Sequence, residues 1–157
     1  MKYNLFRSPF GSVVISADET GITGVHMEND RFFLEIPKDW VRDEKSLLLK
    51  KAEVQLLEYF QKKRNSFNLP LSQNGTIFQK RVWRVISEIP YGETISYKEI
   101  ATKIGHPLAV RAVGSAVGKN PICIMVPCHR VLNTGGRIGG YVAGVGVKKS
   151  LLELEQE

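Results

Sequence analysis

The sequence predicts an α+β protein with a small sheet-plus-helix domain first and a mostly helical domain after it. β-prone runs open the chain, apolar residues then recur at helical spacing, and the second half contains several helix-capping patterns. Residues 65–76 show no periodicity and are rich in Asn, Ser, Gln and Gly, as is typical of a linker. We therefore expect two domains, residues 1–73 and residues 74–157.

Composition excludes several classes of protein. The chain has 157 residues, of which 43% are hydrophobic and 24% charged, which is typical of globular rather than disordered proteins. No run approaches the roughly 20 apolar residues of a membrane-spanning helix, and the first residues lack the apolar stretch of a secretory signal. Two cysteines, Cys123 and Cys128, cannot form a disulfide framework of the secreted kind, so we expect reduced thiols in a cytoplasmic protein.

Two strands and two helices are predicted from periodicity. Residues 12–16 and 22–26 are β-prone, and the cluster at residues 18–21 between them is typical of a turn. Apolar side chains recur at helical spacing over residues 46–64 and again over residues 76–86, where Thr76 is the expected helix cap. We expect the first of these helices to cover a small antiparallel sheet.

A helix-turn-helix is predicted in the second half. Ser96 and Glu99 form a capping-box pattern for a helix that ends near Lys103. Gly105 stops that helix, and a further helix is expected at residues 108–118. Two helices joined by so short a turn are typical of DNA-binding proteins.

The second helix of this motif consists almost entirely of small residues. Arg111 is its one long charged side chain, and Gly114 inside a helix costs about 1 kcal/mol relative to Ala. Such a glycine indicates a packing or functional requirement. Either the helix packs tightly in the core, or its backbone approaches a nucleic-acid groove.

Basic residues concentrate in the second half of the chain. The net charge is +6, and no Asp or Glu occurs between Glu99 and Glu153. Seven basic residues fall in this acid-free window: Lys103, Arg111, Lys119, Arg130, Arg137, Lys148 and Lys149. The window predicts either a solvated basic face or a surface that binds a polyanion such as nucleic acid.

An apolar run precedes the residues best suited to chemistry. Residues 121–126 are predicted to form a buried strand, and Cys128 and His129 follow directly. A thiol reacts as its thiolate, and a nearby histidine or cation lowers its pKa. The residues alone leave three interpretations open: a nucleophile, a structural thiol beside a capping histidine, and a zinc site. The spacing of Cys123, Cys128 and His129 matches no standard zinc finger.

Several motifs of the second half together resemble one family. They are Arg111-Ala112-Val113-Gly114-Ser115-Ala116, Asn120-Pro121, Val126-Pro127-Cys128-His129-Arg130-Val131 and Gly139-Gly140-Tyr141, followed by a terminal helix that ends near Glu155. The chain resembles the methylated-DNA–protein-cysteine methyltransferases, or O6-alkylguanine-DNA alkyltransferases. The resemblance is strong over residues 76–157, and the first half looks like the family's more variable N-terminal domain.

The resemblance implies a role for each matching residue. Cys128 would accept the alkyl group, His129 would take the thiol proton through a water, and Glu155 would orient His129. Asn120 would brace the site. The residues that would contact DNA or the flipped base are Tyr97, Arg111, Ala112, Gly114, Ser115, Val131, Tyr141 and Val142. No metal or other cofactor is expected, since residues 1–73 contain no cysteine.

The function that this resemblance implies is direct-reversal DNA repair by a monomer. The helix-turn-helix would enter the minor groove of double-stranded DNA, and the damaged base would leave the stack. The alkyl group would pass from O6 of guanine, and from O4 of thymine, to Cys128, inactivating the protein after one turnover. Val142 stands where the family commonly has serine, so a hydroxyl near the base is missing. Two rival functions are a lesion-recognition protein without transfer and a Cys-His-Glu thiol hydrolase.

Overall fold

The computed structural model describes residues 1–28, 36–141 and 143–156, and within them the fold is α+β as predicted. A four-stranded sheet and one helix come first, and four helices with a short two-stranded sheet follow. In chain order the elements are β1 (Lys2–Ser8), β2 (Gly11–Ala17), β3 (Ile22–Met27), β4 (Val41–Arg42), α1 (Leu47–Phe60), α2 (Ile77–Ser87), β5 (Ile95–Ser96), α3 (Tyr97–Lys103), α4 (Val110–Gly118), a 3₁₀ turn (Cys128–Arg130), β6 (Val131–Leu132) and α5 (Val145–Leu154).

The N-terminal sheet has the order β3-β2-β1-β4. β2 pairs with β1 and β3 in antiparallel fashion, with Lys2 opposite Ala17 and Val13 opposite Met27, while β4 runs parallel to β1. The two predicted strands are confirmed as β2 and β3. Both are buried along almost their whole length, as expected of strands covered on both faces.

Helix α1 covers this sheet, as predicted. The Ser46 side chain accepts a hydrogen bond from the Leu49 amide, which caps the helix at its first turn. Leu49, Ala52 and Leu56 recur at helical spacing and are fully buried. The helix ends at Phe60, four residues before the predicted end, because Lys62 adopts a left-handed backbone with φ of 62°.

The C-terminal helices follow the predicted capping patterns. Thr76 and Gln79 form a reciprocal capping box at the start of α2, and the Ser96 side chain accepts from the Glu99 amide at the start of α3. Helix α4 begins at Val110, two residues later than predicted, and Leu108 lies in the exposed turn before it.

Residues 121–126 are buried but do not form the predicted strand. Their backbone turns back on itself, with the Met125 amide donating to Cys123 O at 2.8 Å and the Val126 amide to Ile122 O at 3.0 Å. Ile124 sits at a φ of 72°. Among the described residues the segment forms no continuous ladder with a strand and makes isolated bridges, one of them to Val25 of β3. It is a buried loop, residues 121–127, rather than a strand.

Strand β3 connects the two halves of the chain. The Val25 amide donates to Pro121 O at 2.9 Å, and the Ile22 amide to Pro70 O at 2.9 Å. One edge of the N-terminal sheet therefore holds both the linker and the buried loop. No helix of the described residues is long and apolar enough to cross a membrane.

Candidate active site

Cys128, His129 and Arg130 form a single 3₁₀ turn directly after the buried loop. The Cys128 amide donates to Val126 O at 2.8 Å, and the Arg130 amide to Pro127 O at 2.9 Å. Successive side chains of a 3₁₀ helix diverge by about 120°. The turn therefore sends the Cys128 thiol and the His129 ring into different surroundings, although both are buried.

Asn120 braces the buried loop from inside. Its Nδ2 donates to Val126 O at 2.8 Å, and its Oδ1 accepts from the Ile122 amide at 3.0 Å. The side chain thus spans both ends of the loop and is itself buried. A satisfied buried amide of this kind fixes the backbone from which the 3₁₀ turn begins.

Glu155 caps the C-terminal end of α5, and its carboxylate binds two side chains of that 3₁₀ turn. Its Oε2 lies 2.6 Å from His129 Nε2 and 3.0 Å from Arg130 Nη2. Its Oε1 accepts from Arg130 Nε at 2.8 Å and from the Gly92 amide at 3.2 Å. The side chains of His129 and Glu155 are almost wholly removed from solvent.

The protonation states of this pair follow from their surroundings. Burial raises the pKa of the Glu155 carboxyl, but hydrogen bonds from His129 and Arg130 outweigh it and lower the pKa to about 2. Burial lowers the pKa of His129, and the neighbouring carboxylate offsets only part of that effect. His129 is therefore neutral at pH 7. Since a carboxylate can only accept, Nε2 holds the hydrogen and Nδ1 is left as a base.

The Nδ1 atom of His129 is buried and has no hydrogen-bond partner within residues 1–28, 36–141 and 143–156. A buried ring nitrogen without a hydrogen bond costs free energy, so its presence in a folded protein points to a functional role. A neutral imidazole oriented by a carboxylate on its other nitrogen is the arrangement of a general base.

The Cys128 thiol lies in a cavity of about 450 Å³. Contact with the Cys123 thiol is the largest influence on its pKa and lowers it. Asn120 and the charge of Lys148 act in the same direction and together these effects outweigh burial, which raises the pKa. The thiol is thus more acidic than an ordinary buried cysteine.

The cavity lies between helices α3 and α4, which correspond to the predicted helix-turn-helix, and the segment that precedes α5. It is lined by Tyr97, Val110, Gly114, Val117, Gly118, Cys128, Asn133, Gly140 and Tyr141. The Tyr141 hydroxyl is buried beside the thiols of Cys123 and Cys128, and its interaction with Cys128 lowers the pKa of that thiol. A largely apolar cleft with few polar groups and a reactive thiol at its wall can hold a flat, partly polar ligand.

The predicted DNA contacts that the structure describes fall into three groups. Tyr97, Gly114 and Tyr141 line the cavity, whereas Arg111, Ala112 and Ser115 lie on the exposed face of α4. Val131 is fully buried outside the cavity wall, and its carbonyl accepts from Lys148 Nζ at 2.7 Å. Val142 lies outside the described residues. The structure thus brings most of these residues to one side of the molecule but leaves the side chain of Val131 apart.

Two family models match the chain along nearly its whole length. The model of the 6-O-methylguanine DNA methyltransferase DNA binding domain matches residues 77–157. The model of the ribonuclease-like domain of the same proteins matches residues 1–73. The chain belongs to the 6-O-methylguanine DNA methyltransferase family.

Relatives of known name support the same assignment. The methylated-DNA–protein-cysteine methyltransferase of Methanosarcina barkeri is 44% identical over 156 residues, which cover 99% of this chain and 98% of the relative. The constitutive enzyme of Bacillus subtilis is 40% identical, over 98% of this chain and 94% of the relative. The crystal structure of Mycobacterium tuberculosis OGT in complex with DNA matches with a TM-score of 0.92 at 40% identity, covering 99% and 93% of the two chains. The predicted family and enzyme class are confirmed.

Two basic residues of this methyltransferase are buried and do not belong to the predicted basic surface. Arg130 and Lys148 belong to the acid-free window, but both are buried, one on Glu155 and the other on the Val131 carbonyl. The remaining five basic residues of the window are exposed. Sequence alone could not separate the two sets, because burial of a charge depends on a partner far along the chain.

Tyr59 of α1 is a further site residue that sequence analysis missed. Its hydroxyl lies 2.5 Å from Glu155 Oε2 and 3.5 Å from His129 Nε2. In the sequence it fits the apolar face of a helix, and no local pattern distinguishes it from a core residue.

No cluster of three or more potential metal-ligating side chains occurs in the part of the chain that the structure describes.

Proposed function

We propose that this protein repairs alkylated double-stranded DNA by moving the alkyl group from O6 of guanine, or from O4 of thymine, to Cys128. The observation that supports this most is the position of the Cys128 thiol. It faces a cavity beside the helix-turn-helix, and the next residue belongs to a buried imidazole–carboxylate pair. The names of the full-length relatives agree with transfer to a protein cysteine.

The proposed reaction is an in-line displacement at the alkyl carbon. His129 Nδ1 accepts the thiol proton through a water, and the thiolate sulfur bonds to the carbon as the carbon–O6 bond breaks. Guanine leaves with the electron pair and takes up the proton, so no oxidant or reductant is needed. The resulting thioether is stable, and the protein therefore acts once and is inactivated.

The proposed DNA surface is the exposed side of the helix-turn-helix. Because the duplex stacks O6 of guanine out of reach, the base must rotate out at a cost of a few kcal/mol. The cavity volume of about 450 Å³ is suited to a single base. Arg111, exposed on α4, would fill the gap in the stack, and Tyr97 on the cavity wall would contact the base or its phosphate.

Other features stay predictions from the sequence. They are the domain boundary near residue 73, a monomeric state and a cytoplasmic location. Asn120 is proposed to hold the reactive loop in shape, in keeping with its two hydrogen bonds to that loop.

The intact mass of the protein after mixing with excess O6-methylguanine duplex tests the proposal. We expect one added methyl per chain, mapped to Cys128, and no further gain with time. Cys128→Ser should gain nothing while still binding DNA, and Cys123→Ser should still gain one methyl. O4-methylthymine duplex tests the second substrate in the same way.

Two results would contradict the proposal. Tight binding of the methylated duplex with no change in mass would favour a lesion-recognition protein. Repeated hydrolysis of a small ester without inactivation would instead favour a thiol hydrolase.

A further inference from the structure

We propose that Tyr59 is a positioning residue for alkyl transfer, whose hydroxyl holds the Glu155 carboxylate where it presents His129 to the thiol. Tyr59 lies on α1, in the half of the chain that carries none of the predicted catalytic residues. The inference rests on the proposed roles of Cys128, His129 and Glu155. It gives the N-terminal half a direct part in the chemistry.

The contact is made at the oxygen that His129 uses. Tyr59 Oη donates to Glu155 Oε2 at 2.5 Å, and the same oxygen lies 2.6 Å from His129 Nε2. The hydroxyl itself lies 3.5 Å from Nε2. Tyr59 and His129 therefore share one acceptor, and movement of either donor changes the bond that the other makes.

The Tyr59 ring is held so that its hydroxyl has little freedom. The side chain is fully buried, and its ring centroid lies 5.7 Å from Phe60, 5.7 Å from Phe67 and 6.2 Å from Tyr91. Burial, followed by the charge of Glu155, raises the pKa of Tyr59 far above its ordinary value. The hydroxyl thus remains protonated and always acts as a donor.

The loss of this one donor would change the electrostatics of the pair. Glu155 Oε2 would keep only His129 and Arg130, and negative charge would concentrate beside the imidazole. Two other ionisable groups act on His129 and Glu155. They are Tyr91, whose ring packs against that of Tyr59, and Lys148 of α5. None of them donates to Oε2, so none replaces Tyr59 there.

Tyr59→Phe removes only the hydroxyl and keeps the ring. The imidazolium of His129 gains stability beside the less solvated carboxylate, so a higher pH is needed to obtain the neutral base. We expect the acidic limb of the single-turnover rate to move up by about half a pH unit. Because the imidazole is also held less well in position, we expect the rate above that limb to fall about tenfold. The chain has three histidines, so the titration of His129 can be followed directly by NMR and should move with the rate.

Two control variants separate positioning from folding. Tyr3→Phe removes a hydroxyl from the same sheet-and-helix half, on β1, and should leave the pH profile unchanged. Val13→Ala creates a cavity in the core of β2 and should lower the melting temperature without moving the acidic limb. An equal shift in Val13→Ala would overturn the proposal.

The remaining outcomes are also decisive. A folded Tyr59→Phe variant with the wild-type transfer rate and the wild-type titration of His129 would overturn the positioning role. If that variant still transfers methyl to Cys128, the proposed function stands. Absence of methyl transfer in the wild-type protein removes both. If Tyr59→Phe does not fold, the wild-type hydroxyl proton decides. It should be protected from exchange with solvent by its hydrogen bond to Glu155, and a freely exchanging hydroxyl proton would overturn the positioning role.

Discussion

Two regions of opposite character lie next to Cys128: a buried hydrogen-bond network and a cavity. In the network, the Glu155 carboxylate accepts hydrogen bonds from His129, Arg130, Tyr59 and the Gly92 amide, and both of its oxygens are fully used. The thiol also faces the largely apolar cavity, where the Tyr141 hydroxyl lies beside the thiols of Cys123 and Cys128. In one region the carboxylate receives its hydrogen bonds from the protein itself, whereas the other is a cavity that can receive a ligand.

This difference matches the two tasks that the proposed function assigns to the site. Removing a proton from the thiol requires a base whose orientation and tautomer do not change. The bond from His129 Nε2 to the buried Glu155 carboxylate provides that and leaves Nδ1 to take the proton. Receiving a base from DNA requires room and unsatisfied groups at the wall. The following predictions change one region at a time, and each should affect the other region little.

Glu155→Gln should have the largest effect, because it changes the centre of the closed network. A neutral amide no longer fixes the His129 tautomer, and it leaves the Arg130 charge buried without its partner. We expect alkyl transfer to fall about 10³-fold and the free energy of unfolding to fall by about 3 kcal/mol. Single-turnover kinetics and urea unfolding measure the two losses.

Glu153→Gln is the matched control for that substitution, since Glu153 lies two residues earlier on α5 and is exposed. It should leave both quantities near wild type. If Glu155→Gln transferred alkyl groups at the rate of the control, Glu155 would have no part in activating the thiol.

Gly114→Leu should close the open region instead. The position lines the cavity, and a Cβ built there meets only Tyr97 Cδ1 at 3.9 Å. A larger side chain therefore fits without unfolding α4 but occupies space needed by the base, and we expect transfer from DNA to fall about 10²-fold. Stability should not fall, since glycine is a poor helix former.

Gly114→Ala is the control for the cavity. It should increase the free energy of unfolding by up to about 1 kcal/mol and retain transfer. Thermal melting and single-turnover assays test both variants. Wild-type repair by Gly114→Leu would show that the base enters elsewhere.

Arg111→Ala should have a smaller effect that depends on the substrate. Arg111 is exposed on α4 and touches neither buried region. We expect transfer from duplex DNA to fall about tenfold, because the extruded base returns to the stack more readily, with no change for the free alkylated base. Equal losses on both substrates would refute the extrusion role, and Lys50→Ala, exposed on α1, should change neither.

Lowering the pH should reduce the free energy of unfolding by a smaller amount than Glu155→Gln does. The reduction should grow as the pH falls. The pKa of His129 is lowered in the folded protein, so the unfolded chain takes up a proton first as the pH drops below about 6.5. The pKa of Glu155 is lowered from 4.5 to about 2, so further stability is lost between those values. Urea unfolding at a series of pH values should show both steps. A flat response below pH 6.5 would contradict the buried, neutral state of His129.

Local patterns predicted much of the fold. The caps at Thr76 and Ser96, the apolar spacing of α1 and the two β-prone runs all depend on residues within a few positions of each other, and the structure confirms them. Prediction was wrong at residues 121–126. An apolar run reports burial but not extension, and here the backbone turns back on itself instead of extending beside β3.

The sequence by itself determined the family, the enzyme class and the α+β class, because the motif around Cys128 and the capping patterns are local and specific. Only the tertiary structure decided which charges are buried and which side chains meet. His129 and Glu155 are 26 positions apart, and Tyr59 and Glu155 are 96 apart. Contacts over such separations depend on how the helices and the sheet pack, since a local period reports which face of an element is buried but not what it is buried against.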